Sequence, residues 1–376
     1  MKLYTAEYKS AADSSAKAVV LEDCIMKKDS PAASGSRILE NFVSPFDATV
    51  IDRLISSGYE ISAKADMPEF GLPELFKDVS KEKGQSPAPA VEAVLQDTRF
   101  CLCNDLFGSY RRQAAENNLC YLSPTYGTVS RYGLIPMASS MDQIGVLCRD
   151  LTEGFELLQH LAGKDPRDGA MYPQEKYSYK PLDRDIKLCI PSNVTALAED
   201  NAAAAMTQLA QSFDSCDTEL SCLEAYKQVM YILSCAEISN NISRYDGVKF
   251  GYRSPEGKNL ESMYTRTRTE GFGTQAKLAA IMGAYVLSGE QYQRRYEKAM
   301  KLRRMIYQSL PFDSCDVIAL PASIPGSLYD NLALYALPAL AGLPSVSFSL
   351  KGQGVLLIAD VKNESALLKA WEAARS

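Results

Sequence analysis

Asp47-Ala-Thr-Val-Ile-Asp-Arg-Leu-Ile-Ser-Ser-Gly58, followed directly by Tyr59-Glu-Ile-Ser-Ala-Lys-Ala65, decides the fold class. In the first stretch Val50, Ile51, Leu54 and Ile55 recur at helical spacing and share one face. Asp47 stands where it can cap the helix and Gly58 where it can end it. Tyr59 to Ala65 reads as a strand. Helix, glycine and strand in immediate succession are the grammar of a parallel or mixed α/β sheet.

Outward from this unit, Ala18 to Leu21 reads as a buried strand ending in Glu22-Asp23. Residues 1–16 are polar and small and are expected to be a flexible N-terminus, leaving 17–376 as a single domain. Residues 68–89 hold four prolines and two glycines and read mostly as loop. A short helix (Ala90 to Leu95) and a strand (Phe100 to Asn104) follow. Met141 to Ala162 has helical apolar spacing, Lys187 to Ile190 reads as a strand, and 197–243 and 274–310 read as helical. Strands at Val317 to Leu320, Ser345 to Leu350 and Val355 to Val361 precede a closing helix from Glu364. Strands at both ends with helices between them predict one sheet with a helical excursion.

Composition narrows the chemistry. The 376 residues include one histidine, His160, so a histidine-dependent triad must use that residue, and zinc sites needing several imidazoles are excluded. His160 falls in the last turn of a helix, where it faces solvent or pairs with the helix dipole. A net charge of −6 argues against direct nucleic-acid binding. Ten cysteines without an apolar leader indicate a cytoplasmic protein with reduced thiols, and Cys101-Leu-Cys103 reads as strand thiols. No apolar run has the length of a membrane helix.

Several long stretches carry a resemblance. They are Gly35-Ser-Arg-Ile-Leu-Glu-Asn-Phe-Val-Ser-Pro-Phe-Asp-Ala-Thr49, Ser123-Pro-Thr-Tyr-Gly-Thr-Val-Ser-Arg-Tyr-Gly-Leu-Ile-Pro136, Ser243-Arg-Tyr-Asp-Gly-Val-Lys-Phe-Gly251 and Arg268-Thr-Glu-Gly-Phe-Gly273. From about residue 17 onward the chain resembles the amidase signature family, in particular the A subunits of glutamyl-tRNA(Gln) amidotransferases. The resemblance implies a large mixed sheet covered by helices on both faces, and no cofactor or metal. It implies amide hydrolysis by a lysine, a bridging serine and a nucleophilic serine, with backbone N–H groups of a glycine turn holding the oxyanion. It also implies B-like and C-like partner subunits. The family's helical segment before the first strand is expected to be absent.

Carried over residue by residue, the resemblance meets substitutions at each catalytic part. The family's Val-Lys-Asp-Asn motif falls on Leu21-Glu22-Asp23-Cys24, so Glu22 stands at the lysine position. A carboxylate is a far weaker base than a neutral amine unless burial raises its pKa. Lys27 and Lys28 lie beyond the strand end and read as solvated loop charges. The Asp-Thr-Gly-Gly-Ser-Ile-Arg motif falls on Asp105-Leu-Phe-Gly-Ser-Tyr-Arg111. Ser109 takes the nucleophile position, with Asp105 and Arg111 as matching supports. The oxyanion turn becomes Leu106, Phe107 and Gly108, and Phe107 replaces a glycine whose missing Cβ lets backbone approach substrate. The bridging serine position falls on Gln85, and a one-residue slip brings Ser86 into register. A Lys-Arg-Arg run that holds the substrate carboxylate falls on Lys277-Leu-Ala279. No carboxylate follows Asp330 in Asn331 to Tyr335, where an amine-binding acid is expected. These losses point to an impaired or inactive amidase fold acting as scaffold or partner subunit. The alternative is a divergent amidase or glutaminase with Ser109 as nucleophile.

Overall fold

The computed structural model describes residues 2–8, 17–79, 86–96 and 98–375. Eleven strands form one mixed sheet: β1 (Tyr4–Glu7), β2 (Ala18–Glu22), β3 (Glu60–Ala65), β4 (Phe100–Asn104), β5 (Cys120–Ser123), β6 (Ile144–Cys148), β7 (Lys187–Pro191), β8 (Asp214–Thr218), β9 (Val317–Pro321), β10 (Ser345–Leu350) and β11 (Gln353–Ala359). Their order is β1-β3-β2-β4-β6-β5-β10-β11-β9-β7-β8. β2 runs parallel to both β3 and β4, β9–β7–β8 is a second parallel set, and the centre is antiparallel.

Both faces of the sheet are covered, because alternate residues of one strand enter different cores. Val19 and Leu21 belong to the main core and Val20 to a smaller one with Cys101, Cys103, Tyr121 and Leu147. The helix Thr49–Ser56 sends Val50, Ile51 and Leu54 into the main core, and the helix Pro89–Gln96 covers the opposite face with Ala90, Val91 and Val94. The Asp47–Ala65 unit is therefore a helix packed on the parallel pair β2–β3, as its sequence predicts.

Several expectations need correction. Tyr4–Glu7 is not frayed: it pairs antiparallel with β3 at the sheet edge, and Thr5 Oγ1 donates to Asp23 Oδ1 at 3.0 Å. Residues 9–16 lie outside the described residues. Asp47 does not cap its helix, because its carboxylate accepts the Lys28 N–H at 2.8 Å, and Ala48 takes the cap position. Met141 to Ala162 is not one helix. Ile144–Cys148 is the strand β6, buried between β4 and β5, and an apolar run of that kind has no period that separates strand from helix. Asp150 then accepts N–H groups of Thr152 and Glu153 and starts the helix Leu151–Leu161. The 197–243 stretch is interrupted by β8, a largely exposed edge strand with no apolar alternation to announce it. β5 and the helix Leu328–Ala341 are additions that the sequence patterns do not predict.

β2 and β4, being parallel, deliver Glu22 and Asn104 to the same edge of the sheet, and the helix Ser109–Glu116 begins five residues beyond Asn104. This places the candidate site at the carboxyl ends of parallel strands, where ligands of α/β folds collect.

Candidate active site

The turn from β4 into the Ser109–Glu116 helix is built on Asp105 and Gly108. Asp105 Oδ1 and Oδ2 accept the N–H groups of Tyr110 and Arg111 at 3.0 and 2.9 Å. The carboxylate thus serves the first turn of the helix, where donors lack intrahelical partners. Arg111 closes the loop: its Nε sits 3.0 Å from Asp105 Oδ2 and its Nη2 donates to the Asp105 carbonyl at 2.7 Å. Gly108 has φ +79°, and a Cβ there would lie 2.1 Å from Cγ of Tyr335. Tyr335 fills the segment where an amine-binding acid is expected. Its hydroxyl donates to the Ala322 carbonyl and its ring receives the Arg111 guanidinium at 5.1 Å.

Glu22 is wholly buried. Its Oε1 accepts the Tyr110 hydroxyl at 2.5 Å, and Oε2 accepts the Asn104 N–H at 2.8 Å and the Cys24 thiol at 3.2 Å. The motif correspondence expects Glu22 at the lysine position and Tyr110 at the isoleucine position of the serine motif, and the structure joins these two side chains. Burial pushes the Glu22 carboxyl up to about 7, against the opposing pull of those three donors. A carboxyl raised on folding holds a proton that the unfolded chain has released, so stability is lost as pH rises from the ordinary carboxyl range through about 7. Glu22→Gln should therefore flatten the pH dependence of urea unfolding, gaining on the order of 3 kcal/mol over the parent at about pH 8 relative to pH 4.5. Parallel pH profiles of the two proteins would refute this.

Ser109 is half-buried and opens onto a cleft of about 1010 Å³. Ser86, Leu106, Phe107 and Tyr110 also line it, whereas Glu22 does not. Gln85 lies outside the described residues. Ser86 is exposed, and no hydrogen bond joins it to Ser109 among the described residues. The group that connects the two segments is the amide of Gln113. Its Oε1 accepts the Ala88 N–H at 2.7 Å and its Nε2 donates to Ser109 Oγ at 3.3 Å. An amide that donates to the hydroxyl in this way cannot take a proton from it. Phe107, expected in the oxyanion turn, is buried against the cleft.

The other carried-over positions are occupied structurally. Lys277 Nζ donates to the Thr269 carbonyl at 2.7 Å. Asp330 caps the Leu328–Ala341 helix through Ser327 and pairs with Lys227 at 3.2 Å. The Asn331 amide is buried on the backbone of Ile324 and Ser327. Lys27 stacks on Tyr8 at 4.5 Å. His160 lies exposed in the last turn of its helix, 5.9 Å from the Tyr59 ring. Cys103 is buried, which drives its thiol well above the ordinary range. Besides Arg111 and Arg112 of the site helix, Lys64 on β3 is a further buried cation. It sits 3.2 Å from Asp23 Oδ1 and donates to the carbonyls of Asp23 and Pro31 at 3.1 and 2.7 Å.

The Amidase family pattern matches residues 18–73 and 97–332. The chain belongs to the amidase family. The unmatched interval, 74–96, holds the Gln85 and Ser86 positions. The A subunit of the glutamyl-tRNA(Gln) amidotransferase of Symbiobacterium thermophilum is 32% identical over 88% of this chain and 75% of its own length. That of Persephonella marina is 36% identical over 81% and 68%. Among solved structures, the corresponding subunit of Thermotoga maritima superposes with a TM-score of 0.70 at 23% identity, over 95% of this chain and 82% of that one. A peptide amidase in complex with the competitive inhibitor chymostatin superposes at 0.73 with 19% identity, over the same shares. The family's α/β architecture is the one described above.

Among the described residues no helix is long and apolar enough to cross a membrane. Sequence reasoning missed Tyr110, Gln113 and Lys64. For Tyr110 a signal existed, since an aromatic hydroxyl replaces an aliphatic residue in the serine motif; Gln113 and Lys64 carry none.

Proposed function

We propose that this protein is an amidase-family member without amidase turnover, which acts as a scaffold or partner subunit in an assembly like that of its amidotransferase relatives. The observation that carries the proposal is Glu22. It stands at the lysine position, does not line the cleft, and has its oxygens committed to Tyr110, Asn104 and Cys24. Among the described residues Ser109 therefore meets no base, and its hydroxyl is held by an amide donor. Phe107 in the oxyanion turn and the unmatched 74–96 interval point the same way. Removing base and bridge together costs several orders of magnitude in rate. A fluorophosphonate probe should leave Ser109 unmodified; labelling that disappears in Ser109→Ala would overturn the proposal. Recombinant B-like and C-like subunits are the partners to be tested by pull-down.

One observation favours the second reading, a divergent amidase or glutaminase. The cleft is open, and Ser109 stands partly exposed at a helix N-terminus within it. The same labelling experiment separates the two.

A further inference from the structure

The helix Thr274–Val286 buries mostly small residues: Ala276, Ala279 and Gly283 lie on its inward side with Val286, and it packs against the helix Leu223–Ile242. A Cβ on Gly283 would lie 2.2 Å from the Cys235 carbonyl oxygen. Met282 is half-buried against the core, and three large apolar residues face outward. Leu278, Ile281 and Tyr285 recur at helical spacing and are 47%, 68% and 44% exposed. Lys277, the helix's one charge, is turned back onto the Thr269 carbonyl. A surface helix ordinarily puts its large apolar residues inward and charge outward. An aliphatic and aromatic stripe in the outward position is the composition of an interface core.

Continuous with this stripe is the most basic segment of the chain. Residues 291–308 contain six cations and one carboxylate, Glu297, in a protein of net charge −6. Arg294, Arg295, Lys298, Lys301 and Arg304 are exposed. The Arg295 guanidinium lies 5.5 Å over the Tyr285 ring, joining the basic surface to the apolar stripe. Arg294 is 3.8 Å from the exposed Glu290, and Arg303 is turned inward onto the Leu340 carbonyl.

We infer that this face docks an acidic amphipathic helix of a partner protein, whose apolar side covers Leu278, Ile281 and Tyr285 and whose carboxylates meet Arg294, Arg295 and Lys298. The charge complement selects an acidic occupant. The aliphatic centre selects a protein helix over RNA, whose backbone offers phosphates but nothing to bury Leu278 and Ile281. The inference rests on the part of the proposed function that gives this chain a protein partner, and it fails separately, because its test does not use the amidotransferase subunits.

The test is fluorescence anisotropy with a labelled helical peptide of about 18 residues carrying leucine on one face and glutamate on the other. It should bind the full chain. Ile281→Asp should weaken binding about tenfold or more, and Arg294→Gln/Arg295→Gln/Lys298→Gln should weaken it by a similar factor and reduce its salt dependence. These side chains are exposed, so circular dichroism should show both variants folded. Four results would each overturn the inference. They are no peptide binding; equal binding by both variants; tighter binding of a matched single-stranded RNA than of the peptide; or a dimer of this chain that Ile281→Asp converts to monomer.

Discussion

Glu22→Lys, which puts in the side chain that the resemblance implies at that position, is expected to destabilise the protein by at least about 3 kcal/mol and to yield no amide hydrolysis. The physical reason is that the environment of residue 22 has been rebuilt around an acceptor. Tyr110, Asn104 and Cys24 all direct donors at it. An ammonium there would be opposed by the Asn104 N–H, would turn Tyr110 and Cys24 away from their present roles as donors and, being wholly buried, would find no water in exchange. Nor does residue 22 line the cleft that holds Ser109, whereas its hydrogen-bond partner Tyr110 does. Urea unfolding at about pH 7 reads the loss of stability, and ammonia release reads the chemistry. A stable Glu22→Lys protein with glutaminase activity would show that one substitution suffices and that the donors around residue 22 do not exclude a cation.

The second large effect concerns Lys64. Lys64→Ala should cost about 3–5 kcal/mol, because it strands the wholly buried carboxylate of Asp23 without its cation. Asp23 would keep the Thr5 hydroxyl and the Ala33 N–H, both at 3.0 Å. These bonds link the edge strand and the loop after β2, so that loop should loosen with the core. The double variant Asp23→Asn/Lys64→Met should lose much less than the sum of its single changes, since a buried pair is replaced more cheaply than it is broken. Denaturant midpoints for the four proteins measure the coupling. Additive losses would mean that the two residues act independently.

What the sequence discloses and what it withholds follow from the range of the interactions. The Asp47–Ala65 unit is legible because its apolar period is local and its partner strand is adjacent. β6 reads as helix because Ile144-Gly-Val-Leu-Cys148 is apolar on every residue, and a strand buried on both faces has no period to show. β8 escapes for the opposite reason, being polar at an edge apart from Cys216. At the site, the substitutions at residues 22 and 107 can be named from motifs alone. Their meaning cannot, because it depends on contacts across the fold. Glu22 meets Tyr110 over 88 residues of sequence, and Tyr335 packs on Gly108 from a helix that the sequence pattern does not announce. Gln113 is invisible for a similar reason. Its amide bonds Ala88, in a segment whose placement against the Ser109 helix only the fold reveals.

We propose that Ser109, in the cleft, performs no hydrolysis. This is tested most directly by measuring ammonia release from glutamine and from simple carboxamides, with the parent protein and Ser109→Ala side by side, each alone and in the presence of B-like and C-like subunits. The same background release from both proteins is expected in every condition. Release by the parent that Ser109→Ala abolishes would contradict the claim.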